Sequence, residues 1–140
     1  MEIPNLSMAQ QIAQVARVLE KKRTGLIPKS VTVVQGEGTL VITLHGALSP
    51  AEQAMAKTPA GAAQVQEFHR QLFASDAEAF RGEIKRITGV DVRQAVTEVE
   101  PGTGTVVLVL ASGTIVQVFL LASDISAATW NEHANVSASP

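Results

Sequence analysis

The sequence predicts an α+β fold of two layers, in which helices cover one face of an antiparallel sheet of four to five strands. Two observations carry this prediction. Apolar residues recur at helical spacing in two long segments, and β-branched runs flanking glycine-containing turns follow each segment. In chain order the elements form an α-β-β-α-β-β series.

The length and composition are typical of one globular domain. The chain has 140 residues, of which 46% are hydrophobic and 17% are charged. We assign residues 1–130 to this domain and residues 131–140, which are small and polar, to a flexible tail. Cysteine is absent, which excludes disulfides, thiolate zinc sites and cysteine nucleophiles and is compatible with a cytoplasmic protein.

The charge balance argues against nucleic acid as a partner. The formal net charge is -2, whereas proteins that bind phosphate backbones usually carry a basic excess. The only basic cluster, Lys21-Lys22-Arg23, falls in the last turn of a predicted helix, where cations interact favourably with the helix dipole. We therefore interpret this cluster as part of a helix end.

One long uncharged stretch raises the question of a membrane span. No charged residue lies between Glu100 and Asp124. Its apolar residues are mostly β-branched and form two short blocks, Thr105–Leu110 and Thr114–Leu121, separated by Ser112-Gly113. Short blocks bounded by turn residues are typical of buried strands, so we expect no direct membrane insertion.

The first half of the chain predicts one helix and one hairpin. Ser7 to Arg23 carries one apolar stripe at helical spacing, and Gly25 can supply the left-handed residue that ends the helix. The runs Val31–Val34 and Thr39–Leu44 then flank a glycine-containing turn and predict a hairpin.

The second half begins with a short helix. Ser49, Pro50 and Glu52 supply a cap, a first-turn proline and the capping-box acid. Thr58-Pro59 interrupts this helix and begins a long one that runs to about Ile87. At about 39 Å this helix is as long as the expected domain diameter of about 37 Å. It therefore crosses the domain, breaks near Ser75-Asp76, or projects toward a partner.

Strands dominate the remainder. Val92–Val99 and Thr105–Leu110 predict a second hairpin, Thr114–Leu121 a fifth strand, and Asp124 to Trp130 a helical turn. The two halves also share a pattern, since each helix ends in Thr-Gly (Thr24-Gly25 and Thr88-Gly89) before its hairpin. This pattern is explained either by an internal repeat or by the common use of glycine at helix ends and turns.

The strand-to-helix corner at residues 45–52 is the candidate binding site. His45 follows a strand, and Ser49 and Glu52 lie at an exposed helix N-terminus, which attracts anions. His69 and Arg70 reach this corner if the long helix packs nearby. The corner is either structural or a site for a small anion or a partner.

Other chemistry finds little support in the sequence. His45, His69 and His133 show no metal-ligand spacing, so we expect no metal. The glycine pairs in the two predicted turns lead from strand to strand and not into a helix, so they are not phosphate loops. We expect no cofactor and assign no catalytic residue.

The chain resembles the MpsC-like family of small bacterial domains over roughly residues 7–110. Four segments carry the similarity: Thr24-Gly25 leading to Pro28 and Val31; Gly46, Leu48, Ser49 and Glu52; Val65, Arg70 and Leu72; and Ile84 with Ile87-Thr88-Gly89-Val90 and Val92. His69 stands where a second basic residue is expected, and the sequence beyond Ser112 departs from the pattern. The resemblance implies association with a membrane system for ion or inorganic-carbon transport and supplies no catalytic residues.

These observations predict a non-enzymatic cytosolic accessory or interaction domain. Val106 to Leu110 is apolar at every position, so both faces of that strand need cover. Helices on one face leave the other exposed, and a homodimer would supply the missing cover, with a protein partner at the membrane as a further expectation. The alternative function is a small-anion-binding domain or enzyme that uses the corner at residues 45–52.

Overall fold

The computed structural model of the chain describes residues 6–93, 105–110 and 112–131. Within these ranges it contains four helices and four strands. The helices are α1 (Met8–Thr24), α2 (Pro50–Met55), α3 (Pro59–Thr88) and α4 (Ala127–Trp130). The strands are β1 (Ser30–Gly36), β2 (Thr39–His45), β3 (Thr105–Leu110) and β4 (Thr114–Leu120). Nearly all of the predicted tail, 131–140, lies outside the described residues, and the domain boundary stays a prediction.

Side-chain caps set the starts of the helices. At α1 and α2 the cap is a reciprocal capping box, formed by Ser7 with Gln10 and by Ser49 with Glu52. Thr58 caps α3, and its hydroxyl accepts from the backbone N–H of Gly61. Of the alternatives for the long helix, a break near Ser75 is wrong, because α3 is continuous over 30 residues.

The C-termini of α1 and α3 are built in the same way. Gly25 and Gly89 each adopt a left-handed conformation with φ of 78°. The hydroxyl of Thr24 donates to the carbonyl of Glu20, and the hydroxyl of Thr88 donates to the carbonyl of Ile84. The Thr-Gly pairs of the sequence therefore form matching helix ends.

The strands form one antiparallel sheet, which confirms the predicted α+β class. Its order is β1-β2-β4-β3, so β4, the last of the described strands, lies between β2 and β3. The predicted hairpin between Val92–Val99 and β3 is wrong where it is described. Val92 forms an isolated antiparallel bridge with Leu121, and the N–H of Arg93 donates to the carbonyl of Leu120. Val92 and Arg93 therefore pair with the C-terminal end of β4 and the residue that follows it. Residues 94–99 and the turn at 101–104 lie outside the described residues.

The core lies between the helices and one face of the sheet. The buried side chains of β2 alternate along the strand, and those of α1 and α3 belong to the same apolar cluster. Three phenylalanines join the layers: Phe80 and Phe119 lie 5.1 Å apart between ring centroids, and Phe73 lies 5.6 Å from Phe119. The burial of these rings fixes α3 on the sheet.

The opposite face of the sheet is not covered by the described elements. Register places Val34, Val41 and Val118 side by side across β1, β2 and β4, with Thr32, Thr43 and Val116 in the next row. Val34 is 55% exposed, and the other five are exposed or partly buried. We call these six residues the open face, and it carries no formal charge.

Candidate functional site

The predicted corner forms, and its own side chains accept hydrogen bonds from two backbone N–H groups at the start of α2. The hydroxyl of Ser49 accepts from the backbone N–H of Glu52 at 3.2 Å, and the carboxylate of Glu52 accepts from the backbone N–H of Ser49 at 3.0 Å. A carboxylate thus already occupies the position that an anion would take at this helix start. The prediction that Ser49 and Glu52 form a capping box is confirmed.

Two of the predicted site residues, Glu52 and His69, contact each other. The Nε2 atom of His69 on α3 lies 2.6 Å from Oε2 of Glu52 on α2. His69 is buried, while Glu52 keeps partial exposure. Burial alone would raise the pKa of Glu52, but hydrogen bonds from the Ser49 backbone and from His69 outweigh burial and lower it.

The structure places His45 and Arg70 away from this pair. His45 belongs to β2 and alternates with the buried Leu44, so it lies on the same side of the sheet as the open face. Its Nε2 atom is 3.2 Å from the hydroxyl oxygen of Thr32. Arg70 lies on the exposed side of α3 and donates to Glu67, whose pKa falls to about 2 mainly through these hydrogen bonds.

A buried ionic cluster joins Glu52 and His69 to three residues that are absent from the predicted site. Arg23 on α1 donates from Nη2 to Oε1 of Glu20 at 3.1 Å, and both side chains are almost fully buried. The guanidinium also stacks over the Phe73 ring, with Cζ 5.6 Å from its centroid. We define the ionic cluster as Glu20, Arg23, Glu52, His69 and Asp76.

Asp76 joins this cluster through charge more than through a hydrogen bond. Its Oδ2 atom lies 3.4 Å from Nε of Arg23, yet this atom has no hydrogen-bond partner. The reason is that the N–H at Nε donates to the carbonyl of Leu19 instead. Asp76 therefore balances the guanidinium electrostatically and leaves one oxygen without a donor.

Burial dominates the electrostatics of the two α1 residues. Burial raises the pKa of Glu20, and Arg23 and His69 only partly offset this, while the Glu52 and Asp76 carboxylates raise it further. Burial also lowers the pKa of Arg23. The environment thus disfavours the charged form of Glu20.

A small cavity of about 10 Å³ adjoins the cluster. Glu20, His69 and the fully buried Gln117 of β4 are among its lining residues. Oε2 of Glu20 and Oε1 of Gln117 are both buried and lack a hydrogen-bond partner. Two unpaired acceptor oxygens at one cavity are unusual, because buried polar atoms are normally paired.

A signal for these residues was present in the sequence. Glu20 extends the series Ile12 and Ala16 at a spacing of four, and Gln117 takes the buried position between Ile115 and Phe119. A polar residue in an apolar series marks a position where burial has to be compensated. The prediction from the apolar stripe of α1 missed this interruption.

Other chemistry is limited in the part of the chain that the structure describes. No group of three or more His, Cys, Asp and Glu side chains there could hold a metal ion. A cleft of about 490 Å³ lies beside the C-terminal end of α3. Lys85 in this cleft already contacts Asp91 at 3.0 Å, and Arg81 contacts Glu78 at 2.8 Å. Arg93 lines the cleft as well, so the cleft offers charges of both signs.

The fold and the cluster define a small α+β domain with helices on one sheet face, a buried ionic cluster, and a second sheet face that the described elements leave uncovered. The chain belongs to the MpsC family, described as "Na+-translocating membrane potential-generating system (MpsC)", whose profile matches residues 5–112. This confirms the resemblance seen in the sequence. No curated protein and no solved structure matches the chain significantly. Among the described residues, no helix is both long and apolar enough to cross a membrane.

Proposed function

We propose that the chain is a non-enzymatic, cytoplasmic accessory domain of a membrane ion-transport system and that it acts as a homodimer. The family description supports the association with such a system. The open face is the observation that carries the interaction role. An uncovered sheet face made of valine and threonine is typical of a surface that packs against another protein.

A second copy of the chain is the occupant that the open face fits best. The six residues of the open face carry no formal charge, so a twofold axis would bring valines against valines without repulsion. Two such sheets pack about 10 Å apart with interdigitating side chains. An anionic membrane surface fits less well, because recognition there needs clustered basic residues and the chain has a net charge of -2.

The small-anion alternative receives less support from the geometry. At the corner, Ser49 and Glu52 satisfy each other, and His45 lies on the other side of the sheet from His69. An anion would have to displace the Glu52 carboxylate from the Ser49 backbone N–H. A binding role for the five predicted residues stays a prediction.

Light scattering on a dilution series, with two matched valine variants, tests the homodimer. Val34 on the open face is 55% exposed, and Val18 on α1 is 65% exposed. We expect the wild type and Val18→Lys to be dimers and Val34→Lys to be a monomer, because a lysine on the open face would be buried unpaired. A wild type that is monomeric at every concentration, or a Val18→Lys variant that alone dissociates, would contradict the proposal.

Affinity purification from membranes of the native host tests the association with a transport system. Integral transport proteins should co-purify with the tagged wild-type chain after mild cross-linking. Recovery of the chain without any membrane protein would contradict this part of the proposal. It would leave the homodimer untouched, because light scattering on the isolated chain is independent of the partner.

A further inference from the structure

Two buried side-chain oxygen atoms of residues that line the cavity lack a hydrogen-bond donor. Oε2 of Glu20 and Oε1 of Gln117 are both acceptors when the carboxylate is ionised, so neither satisfies the other. Each side chain is almost completely buried, and an unpaired buried acceptor is costly. With the Gln117 amide oriented so that Oε1 is buried and unpaired, the site therefore needs a further hydrogen-bond donor.

The size of the cavity limits what that donor is. Its volume of about 10 Å³ is close to the smallest that holds one water molecule. Larger ligands do not fit, and Arg23 in the cavity wall repels a metal cation. One water with two polar partners satisfies the usual condition for an ordered buried water.

The charge count of the cluster indicates that a proton is needed as well. Three carboxylates, from Glu20, Glu52 and Asp76, face the guanidinium of Arg23 and the imidazole of His69. Even if His69 is counted as a cation, one negative charge is left over. The charged groups around Glu20 come from three helices: Arg23 from α1, Glu52 from α2, and His69 and Asp76 from α3. The strand β4 contributes the neutral side chain of Gln117.

We propose that this cavity is a binding site for one water molecule and one proton, with the proton carried on Oε2 of Glu20. The neutral carboxyl donates to the water, and the water donates to Oε1 of Gln117. Arg23 then balances Asp76, while Oε1 of Glu20 still accepts from Nη2 of Arg23. Release of the proton to solvent leaves a carboxylate facing Gln117 and removes the donor that links α1 to β4.

The pH dependence follows from the direction of the shift. Burial raises the pKa of Glu20 above its ordinary value of 4.5. The folded state therefore binds this proton more tightly than the unfolded state, and the stabilisation is lost as the pH rises from about 4.5 through the folded pKa. Glu52 acts oppositely, because its lowered pKa adds stability that is lost as the pH falls.

Urea unfolding of full-length Glu20→Gln across this pH range tests the proposal. Glutamine keeps the shape of the neutral carboxyl and cannot ionise. The unfolding constant of the wild type should rise about tenfold per pH unit relative to that of the variant, until the folded pKa is passed. The control Glu78→Gln removes a largely exposed carboxylate on α3 and should follow the wild type. Parallel profiles for wild type and Glu20→Gln would overturn the proposal.

Two measurements on the wild-type chain keep the test independent of the variant. The carboxyl ¹³C shift of Glu20, assigned through bonds, should titrate with a pKa above the ordinary value of 4.5. A midpoint at or below that value would overturn the proton site. A crystal structure should show one water between Glu20 and Gln117, and an empty cavity would overturn the water site.

Discussion

The C-termini of α1 and α3 share a backbone and differ in their buried side chains. Thr24 and Thr88 donate to the carbonyl four residues earlier, and the glycine that follows each has a φ of 78°. The N–H of Gly25 and the N–H of Gly89 both donate at 2.7 Å to the carbonyl four residues before them. The two helices thus end by one local rule, in which a hydroxyl and a left-handed glycine satisfy the last carbonyls.

The side chains that face the core at equivalent positions are chemically opposite. Counting back from the threonine, α3 buries Ile84 and Ile87, whereas α1 buries Glu20 and Arg23. The apolar pair shows that this fold accommodates simple hydrophobic packing at such positions. A buried ion pair is weak support for stability, because desolvation opposes the attraction between the charges. Stability alone therefore does not account for the polar pair of α1.

The largest expected effect comes from removing the guanidinium alone. Arg23→Met should lower the free energy of unfolding by about 3 kcal/mol, since Asp76 and Oε1 of Glu20 then lose their buried cationic partner. Urea denaturation at neutral pH measures this change. A loss below about 1 kcal/mol would show that the cluster is solvated and would break the contrast with α3.

Replacing the glycine at either helix end is expected to cause a smaller loss of stability, of the same size at both ends. Gly25→Ala and Gly89→Ala should each cost about 1 to 2 kcal/mol, because alanine is strained in the left-handed conformation. A Cβ at either position meets no atom within 4 Å, so backbone strain alone sets the cost. Thermal unfolding of both variants checks this. Costs that differ by more than about 1 kcal/mol would mean that the two ends are not equivalent.

The smallest expected effect is at the cap of α2. Ser49→Ala should cost about 1 kcal/mol, because the N–H of Glu52 loses its acceptor. Ser75→Ala is the control, since that hydroxyl is exposed on α3 and caps no helix. Urea denaturation compares the two. An unchanged stability for Ser49→Ala would contradict the structural role of this corner.

Local features were predictable from the sequence, whereas pairing over distance was not. The capping box of Ser49 depends on residues three apart, and the sequence shows it directly. The position of β4 between β2 and β3 depends on contacts that no local pattern encodes. Alternation along β2 does place His45 opposite the core-facing Leu44, so its separation from His69 was predictable in principle.

The meeting of Glu20 with Gln117 belongs to the same non-local class. Each residue interrupts an apolar series on its own element, which marks it as unusual, but only the packing of α1 on the sheet brings both to one cavity. The same holds for Glu52 and His69, which lie on different helices and meet at 2.6 Å. Sequence patterns identify such polar residues singly and leave their partners open.

The double variant Glu20→Leu with Arg23→Met tests the central claim most directly. It places apolar side chains on α1 at the two positions that correspond to Ile84 and Ile87 of α3. The account predicts that it loses clearly less free energy of unfolding in urea at neutral pH than Arg23→Met alone, because only the partly exposed Asp76 is then left without its cationic partner. A double variant that loses about 3 kcal/mol or more would show that the ion pair stabilises the fold and would contradict the claim.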